Sequence, residues 1–147
     1  MLNKLLADFY ERDIRKLKEE VTMFKDEANL WRIQGSVRNP AGNLVLHIVG
    51  GTHYLIGATL AKTGYVRNRD LEFTQRDIDR NILVAGLDEL IPLVRQTLEP
   101  MTPEDMESEY PFMFDGAMNS KAYVLTQLLV HLNYHLGQVN YIRRMLE

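Results

Sequence analysis

Leu128-Leu129-Val130-His131-Leu132-Asn133-Tyr134-His135-Leu136-Gly137-Gln138-Val139 is the stretch from which the fold and the site can be inferred. It holds two of the four histidines, four residues apart, in an apolar run that predicts an α-helix. Residues at i and i+4 lie on one helical face with Cβ atoms roughly 5–6 Å apart, so both imidazoles can reach one metal ion. A third ligand must come from another segment, and His47 is the best candidate.

Length and composition predict a single domain over residues 1–147. The net charge is −3, and no Lys/Arg cluster with interleaved aromatic residues is present, so a nucleic-acid partner is not expected. The chain has no cysteine, which excludes disulfides and thiolate ligands and leaves nitrogen and oxygen atoms to hold any metal. The N-terminal residues lack the apolar core of a signal peptide, and we expect a cytoplasmic protein.

Two stretches, 39–61 and 122–142, lack Asp, Glu, Lys and Arg and are each long enough to span a bilayer. Each also contains two histidines together with Asn or Gln side chains, which are costly to bury in lipid. We therefore interpret both stretches as helices buried in a bundle, with their histidines facing inward, and we expect no membrane partner.

The spacing of apolar residues predicts an all-α protein with four helices. Their expected ranges are 2–27, 40–62, 74–98 and 119 to near the C-terminus. Asn39 is the expected N-cap of the second helix, with Pro40 at its first helical position. Thr74 to Asp77 resembles a capping box that starts the third helix, and Ser120 is an expected cap of the fourth.

Two of the connections differ in character. Residues 65–73 are polar, whereas 99–118 are rich in aromatic residues and form either a plug at the bundle end or a lid over a pocket. Because three connections have roughly ten residues or more, the pattern leaves both a simple up-down-up-down order and a crossover order open.

The second helix presents an unusual face, on which His47 is joined by Gly50, Gly51 and Tyr54. A glycine costs about 1 kcal/mol relative to alanine inside a helix, so two in succession indicate that a facing helix or a ligand approaches closely. His53 lies about 120° around the helix from His47, and whether it is a fourth ligand stays open.

Three further side chains are candidates for the surroundings of an ion. Gln138, one turn beyond His135, could orient a ligand or a bound water. Tyr54 and Tyr134 could line the pocket. The catalytic group itself would be a water or thiol bound to the metal, whose pKa the ion lowers.

Other chemistries find little support in the sequence. No Gly-x-Ser-x-Gly elbow is present, and Gly50-Gly51 lies within an expected helix rather than in a phosphate-binding loop. The Glu-x-x-His pairs of di-iron bundles are also missing. Three histidines suit Zn, Ni, Fe or Cu, and they leave coordination positions open for water or substrate.

The string His131-x-x-x-His135-x-Gly137-Gln138, with Asn43-Leu-Val-Leu-His47-Ile-Val-Gly50 upstream, resembles the DinB-like metalloprotein superfamily. Residues 67–73 are similar to a segment in some uncharacterised branches of it. The resemblance implies a four-helix bundle in up-down-down-up order, often a homodimer. It also implies one divalent ion, Zn, Ni or Fe, held by His47, His131 and His135.

Characterised relatives in that superfamily include thiol S-transferases that use bacillithiol or mycothiol, and a mycothiol-dependent isomerase. The resemblance therefore implies a metal-dependent enzyme that transfers a low-molecular-weight thiol to a small electrophilic substrate. Two alternatives stay open: metal-dependent hydrolysis at the same site, and a non-catalytic, metal-binding dimeric bundle.

Overall fold

The computed structural model describes residues 1–147, and the regular secondary structure of the chain is helical, without a β-strand. The all-α expectation is confirmed. The helices are α1 (Leu2–Met23), α2 (Ala41–Thr52), α3 (Arg69–Thr74), α4 (Arg80–Leu98), α5 (Pro103–Glu107) and α6 (Lys121–Leu146). A 3₁₀ turn at Glu27–Trp31 follows α1, and a π-helical segment at His53–Ala58 continues α2. No helix is both long enough and apolar enough to cross a membrane.

The four long helices share one core of 24 buried apolar side chains. In α1 this core is formed by Leu6, Tyr10, Ile14, Leu17 and Val21, whose three- and four-residue spacing is that of one buried helical face. Polar side chains link the long helices at the edges of the core, which fixes how they pack against one another.

Polar contacts define the direction of α1 relative to its neighbours. Asn3 donates to the backbone carbonyl of Glu99 (2.8 Å) at one end of α4, and Lys18 pairs with Asp88 (2.8 Å) further along. These contacts run in opposite directions along α1 and α4. Against α6, Asn133 donates to Asp13 (2.9 Å), and Asn140 donates to Glu20 seven residues later on both helices. Those contacts run in the same direction.

The start of α2 differs from the expected one. The first helical residue is Ala41, and Pro40 occupies the cap position with an extended backbone (φ −59°, ψ 154°). No side chain caps this end, so the N-cap role expected for Asn39 is wrong. At the other end the helix widens into the π-helical segment, which changes the face that the following residues present.

The start expected for the third long helix is also wrong. Thr74 ends the short α3, which the sequence did not predict, and α4 begins only at Arg80. Between them Asp77 has a left-handed backbone (φ 59°), so no helix can run through it. Asp79 caps α4 instead by accepting a hydrogen bond from the Asn81 amide.

The cap expected for the fourth helix is confirmed, because the Ser120 side chain accepts a hydrogen bond from the Tyr123 amide at the start of α6. In the preceding segment, Tyr110 is fully buried and donates to the backbone carbonyl of Leu55 (2.8 Å). This tyrosine fastens residues 99–118 to the end of α2.

Candidate metal centre

The structure brings three histidines together from two helices. His47 on α2 and His131 and His135 on α6 each offer one ring nitrogen, and these atoms lie within 4.8 Å of one another. The Nε2 atoms of His47 and His131 are 3.0 Å apart. Two nitrogens bound to one ion at about 2.0–2.1 Å are separated by roughly 3 Å, so this spacing suits shared coordination. The three rings form a cluster that could hold a metal ion.

The ring of His47 is oriented by a buried carboxylate. Its Nδ1 lies 3.0 Å from Oε1 of Glu72, a residue of α3 that is 6% exposed. An imidazole that donates from Nδ1 to a carboxylate keeps the lone pair of Nε2 free for a metal. Arg67 holds Glu72 in place with two hydrogen bonds of 2.8 Å, from its Nε and Nη2 atoms. His47 is therefore fixed in the tautomer and orientation that a ligand needs.

The two consecutive glycines of α2 leave room for the side chains of Glu72 and Arg67. A Cβ atom added at Gly50 would lie 2.1 Å from Oε2 of Glu72, a distance that no side chain permits. One added at Gly51 would lie 3.3 Å from Nη2 of Arg67. The expected close approach is present, and the approaching groups belong to the chain's own connection between α2 and α4.

The ring of His135 is held by its neighbour on the helix. Its Nδ1 lies 2.7 Å from Oε1 of Gln138, so this nitrogen donates and Nε2 keeps its lone pair. That Nε2 is buried and has no hydrogen-bond partner in the chain. Buried polar atoms are normally paired, because an unpaired one loses its hydration without compensation. A cation bound by the histidine cluster would give this acceptor the partner that the chain does not supply.

The three rings are electrically neutral near pH 7. Burial is the main cause that lowers the pKa of His47 and of His135 below the ordinary value. Burial, together with the neighbouring rings of His135 and His47, lowers the pKa of His131 to about 4. A metal competes with protons for these nitrogens, and the lowered pKa values reduce that competition. The donor set fits a divalent ion such as Zn, Ni or Fe.

Two cavities flank the cluster. One, of about 330 Å³, is lined by His47, His131, Arg67, Arg69, Phe114 and Asp115, and we call it the Arg69 cavity. The other, of about 380 Å³, includes His135, Gln138, Val37, Arg38, Leu44 and Tyr141, and we call it the Gln138 cavity. Phe114 and Asp115 belong to the 99–118 connection, so this segment both packs against the bundle end through Tyr110 and forms part of a cavity wall.

The remaining candidates lie outside these walls. Tyr134 is 63% exposed, with its ring 5.5 Å from that of His135, and it lines neither cavity. Tyr54 likewise lines neither cavity, and its ring stacks on Phe112. His53 stacks on Tyr65, lies 3.7 Å from a carboxylate oxygen of Glu89, and is absent from the cluster.

The roles of Glu72 and Arg67, and the short helix that carries the glutamate, are not predicted by any pattern in the sequence. Asn43, which is fully buried, donates to the backbone carbonyls of Glu72 (3.0 Å) and Gln75 (2.8 Å), and so binds α3 to α2. The signal was present in the two glycines, which required a partner. Only the structure identifies that partner as a glutamate 22 residues further along the chain, counted from Gly50 to Glu72.

Comparison with known proteins places the whole chain in one family. The family model described as "Protein of unknown function (DUF1572)" matches residues 2–147, and the chain belongs to this family. A search of the curated proteins finds no match.

Proposed function

We propose, for this member of a family that carries no assigned activity, that the three-histidine cluster binds one divalent ion, Zn, Ni or Fe, and catalyses transfer of a low-molecular-weight thiol. The observation that carries the proposal is the unpaired, buried Nε2 of His135, which lies within 4.8 Å of ring nitrogens of His47 and His131. Three protein ligands are the number that catalytic sites use, because they leave a position open for a reacting group.

The ion would supply a Lewis acid that lowers the pKa of a bound thiol near neutral pH. The residues of the chain perform the other tasks. Glu72 and Gln138 keep His47 and His135 in the tautomers that present Nε2, and Phe114 contributes an apolar side chain to the wall of the Arg69 cavity. In the reaction, the thiol gives its proton to water and its sulfur forms a bond to an electrophilic carbon. The bond from that carbon to its leaving group breaks, and the leaving group departs with the electron pair.

The proposal includes the DinB-like arrangement of the four long helices, in up-down-down-up order. The contacts of α1 with α4 and with α6 support it. In the π-helical segment that continues α2, His53 and Gly57 lie beside Glu89 and Leu93 of α4, and these contacts run in the same direction along both elements. Against α6 the order reverses, because Leu44 shares a cavity with Gln138 whereas Leu55 shares one with Leu128.

A homodimer forms part of the proposal as well. One face of α6 carries five large side chains that are each more than half exposed and are spaced alternately by seven and four residues. They are Tyr123, Val130, Tyr134, Tyr141 and Met145, and we call them the α6 stripe. Steps of seven and four residues keep all five side chains on one face of the helix, and exposed apolar patches of this kind commonly mark contacts with another protein. We also propose a cytoplasmic location, where small thiols are kept reduced.

The test of the activity uses purified protein loaded in turn with Zn²⁺, Ni²⁺ or Fe²⁺. Each form is mixed with a panel of small thiols and with 1-chloro-2,4-dinitrobenzene, and formation of the thioether is followed by absorbance. The proposal expects a rate above the uncatalysed one that requires both metal and His135. An ester, amide and phosphoester panel run in parallel would detect the hydrolase alternative.

A matched pair of variants makes this test specific. His135→Ala removes a ligand candidate, whereas His53→Ala removes a histidine that lies outside the cluster. Activity that survives His135→Ala, or that is absent with every metal and thiol, would reject the transferase proposal. Metal binding without turnover on either panel would instead favour a non-catalytic bundle.

A further inference from the structure

The wall of the Arg69 cavity includes one arginine side chain that makes no ion pair with the rest of the chain. Arg67, also in its wall, is engaged by Glu72 through two hydrogen bonds, and the glutamate neutralises its charge. Arg69 forms no ion pair and no hydrogen bond within the chain, and its guanidinium lies only over the ring of Phe73, at 5.7 Å from the centroid. The cavity volume of about 330 Å³ falls in the usual range of small-ligand sites, about 300–1,000 Å³.

The position of Arg69 relates it directly to the histidine cluster. Phe73, under the guanidinium of Arg69, packs its ring 4.8 Å from that of His47. Arg69, His47 and His131 line the same cavity, so a small molecule in that cavity can touch the arginine and the metal-binding rings at once. The charge of Arg67 is neutralised by its ion pair with Glu72. The other charged residues of the wall are Arg69 and Asp115.

We propose that Arg69 binds the carboxylate of the substrate or thiol, and so positions the reacting end of that molecule at the three-histidine cluster. This inference deepens the proposed function and rests on it. A guanidinium recognises a carboxylate with two parallel hydrogen bonds, which fixes orientation as well as position.

A carboxylate fits this cavity better than a phosphate. Arg69 is a single free cation, and Asp115 in the same wall repels a second negative charge. With the ion engaged by the thiolate, one carboxylate charge pairs with Arg69, whereas the second charge of a phosphate dianion would find no further free arginine or lysine in the wall. We identify the ligand class as small molecules with one carboxylate at the end opposite to the reacting group.

The experiment compares two thiols of equal length, 3-mercaptopropionate and its neutral analogue 3-mercaptopropanamide. Each is titrated into the Co²⁺-loaded full chain, and the near-ultraviolet absorption of a cobalt-bound thiolate reports binding without any turnover. Wild type should bind the acid roughly tenfold more tightly than the amide, as expected for one charge-assisted contact. In Arg69→Ala the ratio should fall to about one while the affinity of the amide stays unchanged.

Two variants serve as controls. Arg38→Ala removes an arginine from the Gln138 cavity, and it should leave the acid-to-amide ratio as in wild type. Asp115→Asn removes the opposing charge, and Asn tolerates the left-handed backbone found there (φ 52°), so the acid should bind more tightly. A ratio near one in wild type, or a ratio that Arg69→Ala does not change, overturns the proposal.

A second measurement separates this inference from the thiol chemistry. If neither thiol gives the absorption band, the transferase proposal fails, and the Zn²⁺-loaded protein is titrated with propionate, propionamide and inorganic phosphate by NMR. A saturable shift of the Arg69 Nε–H signal with propionate, but not with propionamide, retains the carboxylate site. Absence of that shift, or tighter binding of phosphate than of propionate, overturns it.

Discussion

The side chain that departs most from ordinary protein chemistry is the ring of His135. Its Nε2 is buried without a partner, while its Nδ1 is bonded to Gln138. The ring of His47 is arranged in the same way: its Nδ1 bonds to Glu72, and its Nε2 faces the other histidines. Both rings are thus held in the form that presents a lone pair to the same small volume. An ion there would give Nε2 of His135 the partner that the chain does not supply.

A substitution at Gly50 tests how much the position of Glu72 contributes to stability and to metal binding. In Gly50→Ala the new methyl group would overlap the glutamate carboxylate, because its carbon would lie 2.1 Å from Oε2. We expect a loss of about 1–3 kcal/mol in the free energy of unfolding from overpacking. Because His47 loses its partner, we also expect metal affinity to fall roughly 10–100-fold. Chemical denaturation and a metal competition titration measure the two effects.

The control for that substitution is Gly86→Ala, since Gly86 is a glycine inside α4. There the new methyl would meet Val49 in ordinary contact, at 3.4 and 3.5 Å. This variant should keep its metal affinity and gain up to about 1 kcal/mol from helix propensity. If both variants bound metal as wild type does, Glu72 would have no part in orienting His47.

The stability of the metal-free protein should depend on pH through the same rings. The pKa of His131 is lowered from 6.5 to about 4 in the folded chain, and those of His47 and His135 are lowered as well. Below pH 6.5 the unfolded chain therefore binds protons that the folded chain does not. The stability that these rings contribute is complete above pH 6.5 and is lost as the pH falls toward about 4.

Urea denaturation of the metal-free protein at pH 7.5, 6 and 5 measures this dependence. His131→Gln should weaken the decrease between pH 6.5 and 5, because a ring whose pKa is lowered to about 4 in the folded chain is gone. Stability that stays constant or rises as the pH falls over this interval would contradict the assignment of neutral, buried rings.

At the scale of the elements, α3 is the short helix on which the site depends. It carries Glu72 and is bound to α2 by Asn43, whose amide donates to two backbone carbonyls and whose oxygen accepts from Arg76 (2.9 Å). The sequence predicted a polar connection here, because six residues without a repeating apolar face give no periodic signal. A helix this short is stabilised by its tertiary contacts rather than by its own propensity.

Asn43→Ala should therefore damage the metal centre without touching a histidine. Loss of three hydrogen bonds around a buried side chain should cost about 1–3 kcal/mol of stability. As α3 loosens, its backbone amides should exchange faster with solvent, and metal affinity should decrease. Asn140→Ala is the matched control: it removes a bond to Glu20 between α1 and α6 and should lower stability without weakening metal binding. Equal effects of the two variants on metal affinity would contradict this account.

At the scale of the whole molecule, two groups of large apolar side chains can be distinguished, one buried in the core and one exposed on α6. One core cluster unites α1, α2, α4 and α6, whereas the α6 stripe remains outside it with its apolar groups in solvent. Covering this stripe with a second copy of the chain would remove its apolar groups from water, which is favourable. The family resemblance implies a homodimer, and we propose the α6 stripe as the place where the two copies would meet.

The variant Tyr141→Glu tests this interface by placing a charge within the stripe. Sedimentation equilibrium should show a wild-type dimer and a variant shifted to monomer, because an unpaired charge is costly at an apolar contact. Ile82→Glu on α4, an exposed apolar side chain outside the stripe, should leave the dimer intact. Dissociation by both variants, or by neither, would reject α6 as the interface.

Much of the fold was accessible from the sequence because the long helices have strong apolar periodicity. The helical pair His131 and His135 was accessible because their spacing is a local property. The starts of α2 and α4 were not, since backbone angles at Pro40 and Asp77 decide them. The partner of Gly50 could not be predicted either. The contact between α2 and α3 is a tertiary contact, and the spacing of residues along one helix does not show which other segment packs against it.

The most direct test of the central claim is the metal content of the purified protein after incubation with Zn²⁺, Ni²⁺ or Fe²⁺ and removal of excess ion. Elemental analysis should find one ion per chain in wild type and in His53→Ala, and markedly less than one in His131→Ala. Wild type without metal under all three conditions, or His131→Ala with a full equivalent, would contradict the claim that the three histidines form a metal centre.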